Sequence, residues 1–168
     1  MTIYFSADQH YGHHNIIKYC NRPFKDAVEM ADALILNHNT VVKKNDVVFH
    51  LGDFAITNKW EDAWKLIQRL NGQHFFIPGS HDSWIKKAPT KSSVVILDRI
   101  HEMSINGTHI VLCHYPMRTW PKSHYGSWNL HGHAHGELAP FRNQYDVGVD
   151  NNNYYPISFN QIEKEMEE

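Results

Sequence analysis

The sequence has few cysteines and no long hydrophobic run. Its two cysteines, Cys20 and Cys113, do not form a Cys-x-x-Cys pair, which excludes zinc-finger and thioredoxin-like motifs. We expect free thiols rather than a disulfide, because the N-terminus has neither the charged region nor the small-residue cleavage site of a secretory signal. Crossing a bilayer takes about 20 apolar residues in a row, and no segment approaches this length. A cytoplasmic protein with no membrane partner is therefore predicted.

An excess of charge of one sign is also missing. The 168 residues include 16 Lys and Arg against 18 Asp and Glu, for a formal net charge of -2. Binding along a nucleic-acid backbone needs many contacts between basic side chains and phosphates, so no long nucleic acid is expected as a partner. Short nucleotides at a metal centre remain allowed, because bound cations add charge that this count omits. The length predicts a single domain over residues 1–168.

Hydrophobic periodicity predicts alternating strands and helices in the first half of the chain. Apolar runs predict buried strands at 2–5, 46–51 and 74–77, and helical spacing predicts helices at 58–70 and at 26–41, with Asp26 as the N-cap. This strand–helix order is typical of parallel crossover units.

The second half is richer in strands. Short strands are predicted at 94–97, 100–104, 109–113, 128–131 and 145–149, with a hairpin turn at Asn106-Gly107 and a C-terminal helix at 159–166 capped by Ser158. The predicted fold is therefore α/β, a four-layer αββα sandwich of two mixed sheets with helices outside.

Acidic and histidine residues follow the ends of several predicted strands. These segments are Asp8-Gln9-His10, Gly52-Asp53, Gly79-Ser80-His81-Asp82, His114 and Gly132-His133-Ala134-His135. Each segment alone has an ordinary explanation as a turn or a polar pair. Together, at strand ends, they predict one ligand site, because open α/β sheets bind ligands outside the carboxyl ends of their strands.

The residue types and their spacing favour divalent metal ions. Asp8 and His10 are two apart, as are His133 and His135, so each pair can face one side of an extended segment. Asp53 has two carboxylate oxygens and can bridge two ions. Gly132 allows the backbone to approach closely. Carboxylates suit Mn²⁺ and Mg²⁺, and imidazoles extend the choice to Fe and Zn.

The order of these motifs resembles that of the calcineurin-like metallophosphoesterase family, whose pattern is Asp-x-His, Gly-Asp, Gly-Asn-His-Asp/Glu, His and Gly-His-x-His. The sequence is most similar to small bacterial and phage members, through residues 8–17, 21–24, 130–136 and 146–156. The resemblance covers essentially the whole chain. It implies two divalent metal ions, with Mn favoured over Fe, Zn, Ni or Mg, and location in a bacterial cytoplasm, or in the host cytoplasm if the chain is phage-encoded.

The resemblance also implies a role for each motif residue. One metal would be held by Asp8, His10, Asp53 and His135. The second would be held by Asp53 as a bridge, by His114 and His133, and by the residue at position 80. His81 matches the catalytic histidine, and Asp82 matches the acid that orients it.

Ser80 departs from the family pattern, which has Asn at this position. A serine hydroxyl reaches less far than an asparagine amide, so we expect the second site to be short of a ligand or completed by water. A natural and an engineered substitution both fit, and an engineered one made to slow turnover is slightly favoured. The activity of this chain is expected to be impaired.

The expected activity is hydrolysis of phosphodiesters, especially of small nucleotides, including cyclic ones. A hydroxide that bridges the two metals would attack the phosphorus, and His81 would assist the leaving group. Phosphomonoester hydrolysis, a non-catalytic binding module weakened at Ser80, and a nuclease of long DNA are the alternatives. The near-neutral pI of about 6.7 weighs against the last. The oligomeric state is not predicted.

Four further side chains are expected to contact the substrate: His13, Arg22, Tyr115 and Arg118. The two arginines can bind phosphate as planar forks, although surface salt bridges are the alternative. Tyr115 belongs to an aromatic-rich segment with Trp120, Tyr125 and Trp128, which is interpreted either as a wall that stacks a nucleobase or as core packing.

Overall fold

The computed structural model describes residues 1–89, 94–139 and 141–167. In chain order its strands are β1 (Ile3–Ser6), β2 (Val47–His50), β3 (Gln73–Phe76), β4 (Val95–Ile96), β5 (Ile100–Ile105), β6 (Thr108–Cys113), β7 (Trp128–His131), β8 (Gln144–Asp146) and β9 (Ile157–Ser158). The α-helices are α1 (His14–Tyr19), α2 (Ala27–Val41), α3 (Trp60–Ile67) and α4 (Phe159–Glu167), and short 3₁₀ helices cover Ser83–Lys87 and Ser123–Tyr125.

Five strands form the first sheet in the order β4-β3-β2-β1-β9. Strands β1 to β4 are parallel, whereas β9 is antiparallel to β1. The carboxyl ends of β1, β2 and β3 therefore lie at one edge. Side chains of α2, including Met30 and Leu34, pack with Phe54, Phe76 and Trp84 in one buried cluster.

The second sheet has the order β5-β6-β7-β8. Strands β5 and β6 form an antiparallel hairpin, and β6, β7 and β8 are parallel. The predicted turn at Asn106-Gly107 is confirmed, and both residues have the positive φ, 51° and 87°, of a tight hairpin turn.

The two sheets meet over a second hydrophobic cluster. Phe5, Leu51 and Ile77 from the first sheet and its strand ends pack with Leu112 and Leu130 of the second. Beyond this cluster the sheets are joined by a bridge between Ala7 and Gly148, and the Val149 amide donates to the Ala7 carbonyl over 3.0 Å. The loops after the strands of both sheets are thereby brought to one place.

The predicted fold of two mixed sheets flanked by helices is confirmed. As expected, Asp26 caps α2 by accepting from the amides of Val28 and Glu29, and Ser158 precedes α4, where it exchanges hydrogen bonds with Gln161. Helix α3 is shorter than the predicted 58–70, because its end tightens into i→i+3 hydrogen bonds such as Leu70 N to Ile67 O.

Two elements were not predicted, helix α1 and strand β9. Both are short, and α1 begins without a side-chain cap, so neither has a sequence signal for its start. Within the described ranges, no helix is long and apolar enough to span a membrane.

Candidate metal centre

The loops after β1 and β2 run side by side. The Asp8 amide donates to the Gly52 carbonyl over 3.0 Å, and the His10 amide donates to the Asp53 carbonyl over 2.9 Å. These backbone hydrogen bonds fix the two loops against each other and bring Asp8, His10 and Asp53 together. From the second sheet, the His133 amide donates to Asp8 Oδ2 over 2.8 Å, so the histidines after β7 face the same place.

The backbone of five candidate ligands is left-handed. The φ angles are 59° for Asp8, 52° for His10, 53° for Asp53, 68° for His133 and 51° for His135. This region is uncommon for residues other than glycine, and such residues cluster at functional sites when the surrounding structure holds them there. The left-handed turns are part of how these side chains converge.

The converging side chains form two triads. In each triad the ligand atoms lie within 4.8 Å of one another. One triad consists of Asp8, His10 and His135, and the other of Asp53, His114 and His133. The family resemblance implied these same residues for a first and a second metal, with Asp53 shared by both.

Asp53 belongs to the second triad and also lies close to the first. Its Oδ2 atom is 3.6 Å from Nε2 of His10 and 3.4 Å from Nε2 of His114. One carboxylate oxygen thus faces a histidine of each triad, which is the position required of a bridging ligand. The other oxygen, Oδ1, accepts from the His81 amide over 2.8 Å.

Unpartnered buried atoms test whether metals fit these residues. Among the described residues, Asp8 Oδ1, His10 Nε2 and His114 Nε2 are buried without a hydrogen-bond partner. Leaving such an atom unpaired costs about 1–3 kcal/mol, yet three lie at one site. Divalent cations would satisfy all three, so the donor set fits two metal ions.

The electrostatics of the site also suit cations. Burial raises the pKa of Asp8 to about 7 and lowers the pKa of His10 to about 3. His10 is therefore neutral at physiological pH, as a metal ligand must be. Burial alone would raise the pKa of Asp53, but its contact with His114 and the His81 amide hold it well below its usual range. Asp53 is accordingly ionised.

Two of the candidate histidine ligands are held in place by hydrogen bonds at Nδ1. His114 Nδ1 donates to the Leu51 carbonyl over 2.8 Å, and His135 Nδ1 lies 2.7 Å from Asp150 Oδ2. Because a hydrogen bond at Nδ1 fixes the ring, Nε2 is left free to bind a metal. The sequence prediction missed Asp150, which follows Gly148-Val149 much as Asp53 follows a strand and a glycine.

The prediction that Arg22 contacts the substrate is wrong. Arg22 is buried, and its Nε and Nη2 lie 2.8 and 2.7 Å from the two carboxylate oxygens of Asp150. The guanidinium also donates to the carbonyls of Asp8 and Gln9. With its donors used inside the protein, Arg22 holds the backbone beside the candidate metal ligands and cannot present a fork to phosphate.

The predicted contact between Asp82 and His81 is not found among the hydrogen bonds of the described residues. The Asp82 carboxylate instead accepts from the amides of Asp53, over 2.7 Å, and Gly79, over 2.9 Å, and from Trp84 Nε1. Burial raises the pKa of Asp82. Asp82 therefore holds the loop that carries the shared ligand rather than orienting the histidine.

His81 and His13 lie at the open side of the centre. The side chain of His81 is 49% exposed, with Nε2 4.0 Å from Asp53 Oδ2. His13 Nδ1 is 3.1 Å from His10 Nδ1, and its ring centroid is 6.0 Å from that of His81. Their predicted contacts with a substrate stay predictions.

Ser80 contacts the shared ligand. Its hydroxyl lies 3.2 and 3.0 Å from the two carboxylate oxygens of Asp53. The side chain therefore reaches Asp53, where its proton is donated to the carboxylate. Position 80 is thus beside Asp53, and its assignment as a ligand of the second metal stays a prediction.

Of the remaining predicted contacts, Tyr115 is at the site and Arg118 is not. The Tyr115 ring packs edge-on against the rings of His114 and His133, with centroids 4.8 and 4.7 Å away. Arg118 stacks on Phe141, beside a different cleft. Its predicted phosphate contact therefore lacks support from the structure.

The predicted aromatic wall is largely packing. Trp120 is buried and donates to the Ser127 carbonyl, and Trp128 stacks on Phe159. Tyr125 is 81% exposed on the 3₁₀ helix Ser123–Tyr125. Among the four described aromatic residues, only Tyr115 contacts the candidate metal-binding histidines. Core packing is the correct interpretation for the two tryptophans.

The protein thus has an α/β fold of two mixed sheets with a candidate two-metal centre. The centre consists of two carboxylate–histidine triads, and Asp53 faces both. The sequence profile described as calcineurin-like phosphoesterase matches residues 1–162. The chain belongs to this family.

A protein of related sequence and a solved structure are each similar to this chain over most of its length. The uncharacterized protein MJ1445 of Methanocaldococcus jannaschii is 36% identical over 173 residues, covering 98% of this chain and 91% of that protein. The crystal structure of AQ665 from Aquifex aeolicus, a protein of unknown function, is similar with a TM-score of 0.74 and 24% identity, over 97% of this chain and 98% of that one. Neither similarity identifies a substrate.

Proposed function

We propose that this chain hydrolyses phosphodiesters, with small nucleotides as substrates, at two bound divalent ions of which Mn²⁺ is the expected one. The position of Asp53 carries the proposal. One of its oxygens faces both triads, 3.6 Å from His10 and 3.4 Å from His114. The half-exposed side chain of His81 lies beside it.

The residues divide between the two ions as the triads do. Asp8, His10 and His135 would hold the first, His114 and His133 the second, and Asp53 both. When bound, two such ions neutralise charge on phosphoryl oxygens and lower the pKa of a coordinated water towards neutrality. Asp82 contributes by fixing the Asp53 amide, which keeps the shared carboxylate in place.

His81 is proposed as the proton donor to the leaving oxygen. Its imidazole is half-exposed and lies beside the shared carboxylate, with Nε2 4.0 Å from Asp53 Oδ2. A positioned acid of this kind is worth about 10²–10⁴ in rate. The benefit is largest for alkoxide leaving groups, such as the sugar oxygens of nucleoside diesters, and this favours diesters over phosphomonoesters as substrates.

A second candidate is a module that binds phosphate esters with little turnover. One observation favours it: the Ser80 hydroxyl donates to Asp53, so the second triad depends on fewer strong ligands.

We place either activity in the cytoplasm. Both cysteines are free, as is usual for a reducing compartment.

Metal stoichiometry and hydrolysis together test the proposal. Wild type should bind two Mn²⁺ per chain in calorimetry and hydrolyse bis(p-nitrophenyl) phosphate faster than p-nitrophenyl phosphate. His114→Asn should lose one site, and Asp53→Asn should weaken both. His109→Asn is the matched control, since His109 pairs with Glu102 on β5, over 2.8 Å, away from the centre.

The outcomes separate the candidates. Two bound ions with diester turnover support the enzyme, and two ions with faster monoester turnover make it a phosphomonoesterase. If two ions bind but neither ester is hydrolysed, the binding module is supported. Absence of Mn²⁺ binding overturns the proposal.

A further inference from the structure

A cavity of about 490 Å³ opens beside both triads. His133 and His135, one from each triad, form the side that faces the metal centre. The other walls come from the end of α1 and from the loop after β7, and consist of Ile16, Tyr19, Cys20, Ala134, Glu137 and Leu138. We call this cavity the α1 pocket. A substrate whose phosphate lies at the triads would extend one substituent into it.

The lining of the α1 pocket is unsuited to a second phosphate. Among the described residues that line it, Glu137 has the one carboxylate, and none is a lysine or an arginine. A phosphate there would meet a negative charge without a compensating cation. The occupant that fits is uncharged, largely apolar, and able to donate a hydrogen bond to Glu137.

Two large apolar side chains at the pocket are left open to solvent. Tyr19 is 69% exposed and Leu138 is 58% exposed. Covering them would gain hydrophobic free energy. The Tyr19 ring meets the ring of His13 edge-on, at 6.4 Å and 80°, so it is steadied next to the histidines of the centre.

We propose that the α1 pocket binds the nucleobase of the nucleotide substrate. Tyr19 supplies the aromatic surface on which the base stacks, Leu138 covers the base, and Glu137 accepts a hydrogen bond from a base N–H. Stacking on an aromatic side chain and a carboxylate acceptor for base N–H groups are both common in nucleotide recognition. The proposal rests on the proposed function, since it takes the phosphate to lie at the triads.

An alkyl ester is the competing occupant. It would gain from Tyr19 and Leu138 through burial but would gain nothing from Glu137. A base uses all three groups, and this difference makes Glu137 the residue that separates the two occupants.

The kinetic test compares two diesters with the same leaving group, in Mn²⁺. Thymidine 5′-monophosphate p-nitrophenyl ester carries a base, whereas methyl p-nitrophenyl phosphate does not. In Tyr19→Ala the ratio of kcat/KM for the nucleoside ester over the methyl ester should fall about tenfold. In Glu137→Ala, which has no side-chain oxygen to accept the base N–H, the same ratio should fall several-fold. Tyr125→Ala, another exposed tyrosine, is the matched control and should keep the wild-type ratio.

Equilibrium binding gives a readout that needs no turnover. Calorimetry should show that Mn²⁺-loaded wild type binds thymidine 5′-monophosphate more tightly than inorganic phosphate, and that Tyr19→Ala narrows this difference about tenfold. Because Tyr19 is exposed, the variant should keep the wild-type melting temperature.

The results test nucleobase binding in the α1 pocket separately from the proposed hydrolysis. A base-dependent binding difference that Tyr19→Ala removes supports the pocket even if neither diester is hydrolysed, a case in which only the proposed activity fails. Equal binding of the nucleotide and inorganic phosphate overturns the pocket. Loss of the preference in Tyr19→Ala but not in Glu137→Ala assigns the pocket to an alkyl or other apolar group and overturns the nucleobase proposal.

Discussion

Arg22 and Asp150, which are 128 residues apart, form a buried two-pronged ion pair with N–O distances of 2.8 and 2.7 Å. The same carboxylate lies 2.7 Å from Nδ1 of His135. Two parallel N–H···O bonds between a guanidinium and a carboxylate combine strength with fixed geometry. The pair therefore sets the ring orientation of a candidate ligand from the core of the protein.

Asp150→Asn should weaken the first metal site and the fold together. It leaves the Arg22 charge buried without its partner, which costs about 3–5 kcal/mol, and loosens His135, which lowers metal affinity about 10–100-fold. Urea unfolding and Mn²⁺ calorimetry measure the two effects. Asp32→Asn is the control, because it breaks an exposed 2.7 Å pair with Arg69 worth at most about 1 kcal/mol. Equal losses in both variants would refute the role of Asp150.

Ser80→Asn should raise Mn²⁺-dependent hydrolysis of bis(p-nitrophenyl) phosphate. The longer amide adds an oxygen ligand beside Asp53, and a tenfold gain corresponds to about 1.4 kcal/mol of activation free energy. Ser104→Asn, at an exposed position on β5, should have no effect. Equal rates for wild type and Ser80→Asn would mean that the second ion needs no side-chain ligand at position 80.

His81→Asn should slow diester hydrolysis by about 10²–10⁴ while two Mn²⁺ ions still bind. The loss should be greater for an alkoxide leaving group than for p-nitrophenolate, which departs without a proton. His14→Asn, on the exposed start of α1, is the control. A loss that does not depend on the leaving group would show that His81 has another role.

Stability should fall in mild acid because of three buried histidines. Burial lowers the pKa values of His38 and His74 to about 4 and that of His50 well below its usual range. The unfolded chain takes up protons near pH 6.5, whereas the folded chain resists them. This stability is thus complete above pH 6.5 and lost as the pH falls towards 4.

Replacing one of these histidines should flatten the pH dependence. His38→Gln can still donate to the Asn71 carbonyl, which His38 Nε2 contacts over 2.8 Å, but it cannot titrate. From pH 7 to 4.5, the free energy of unfolding should fall by about 2–3 kcal/mol less than in wild type. Urea unfolding at several pH values measures this, with His124→Gln as an exposed control. Parallel curves for wild type and His38→Gln would contradict the assignment.

Most of the two triads could be predicted because each ligand directly follows a strand in a short motif. Asp8-x-His10 and His133-x-His135 have local spacing, and the parallel order of the strands brings distant motifs to one edge. Helix α2 was predictable for a similar reason, since Asp26 and the apolar spacing mark its start and its buried face.

The errors concern residues whose partners are far away in sequence. Whether Arg22 faces solvent or the core depends on Asp150, and nothing near position 22 indicates that partner. Asp82 adjoins His81 in the chain, but its carboxylate turns towards the amides of Asp53 and Gly79. The role of Asp82 came from the family resemblance, and the residues around position 82 do not indicate that its carboxylate caps these distant amides.

The left-handed backbone at five candidate ligands has a consequence for how the protein can change. Each such residue holds a conformation that glycine adopts without penalty and other residues at about 1 kcal/mol or more. A glycine at Asp53 or His133 would relieve that local penalty while deleting a ligand. Selection for a more durable fold and selection for activity therefore oppose each other at these positions. A stabilising substitution at these positions is therefore expected to lower metal affinity, because the gain in stability comes with the loss of a candidate ligand.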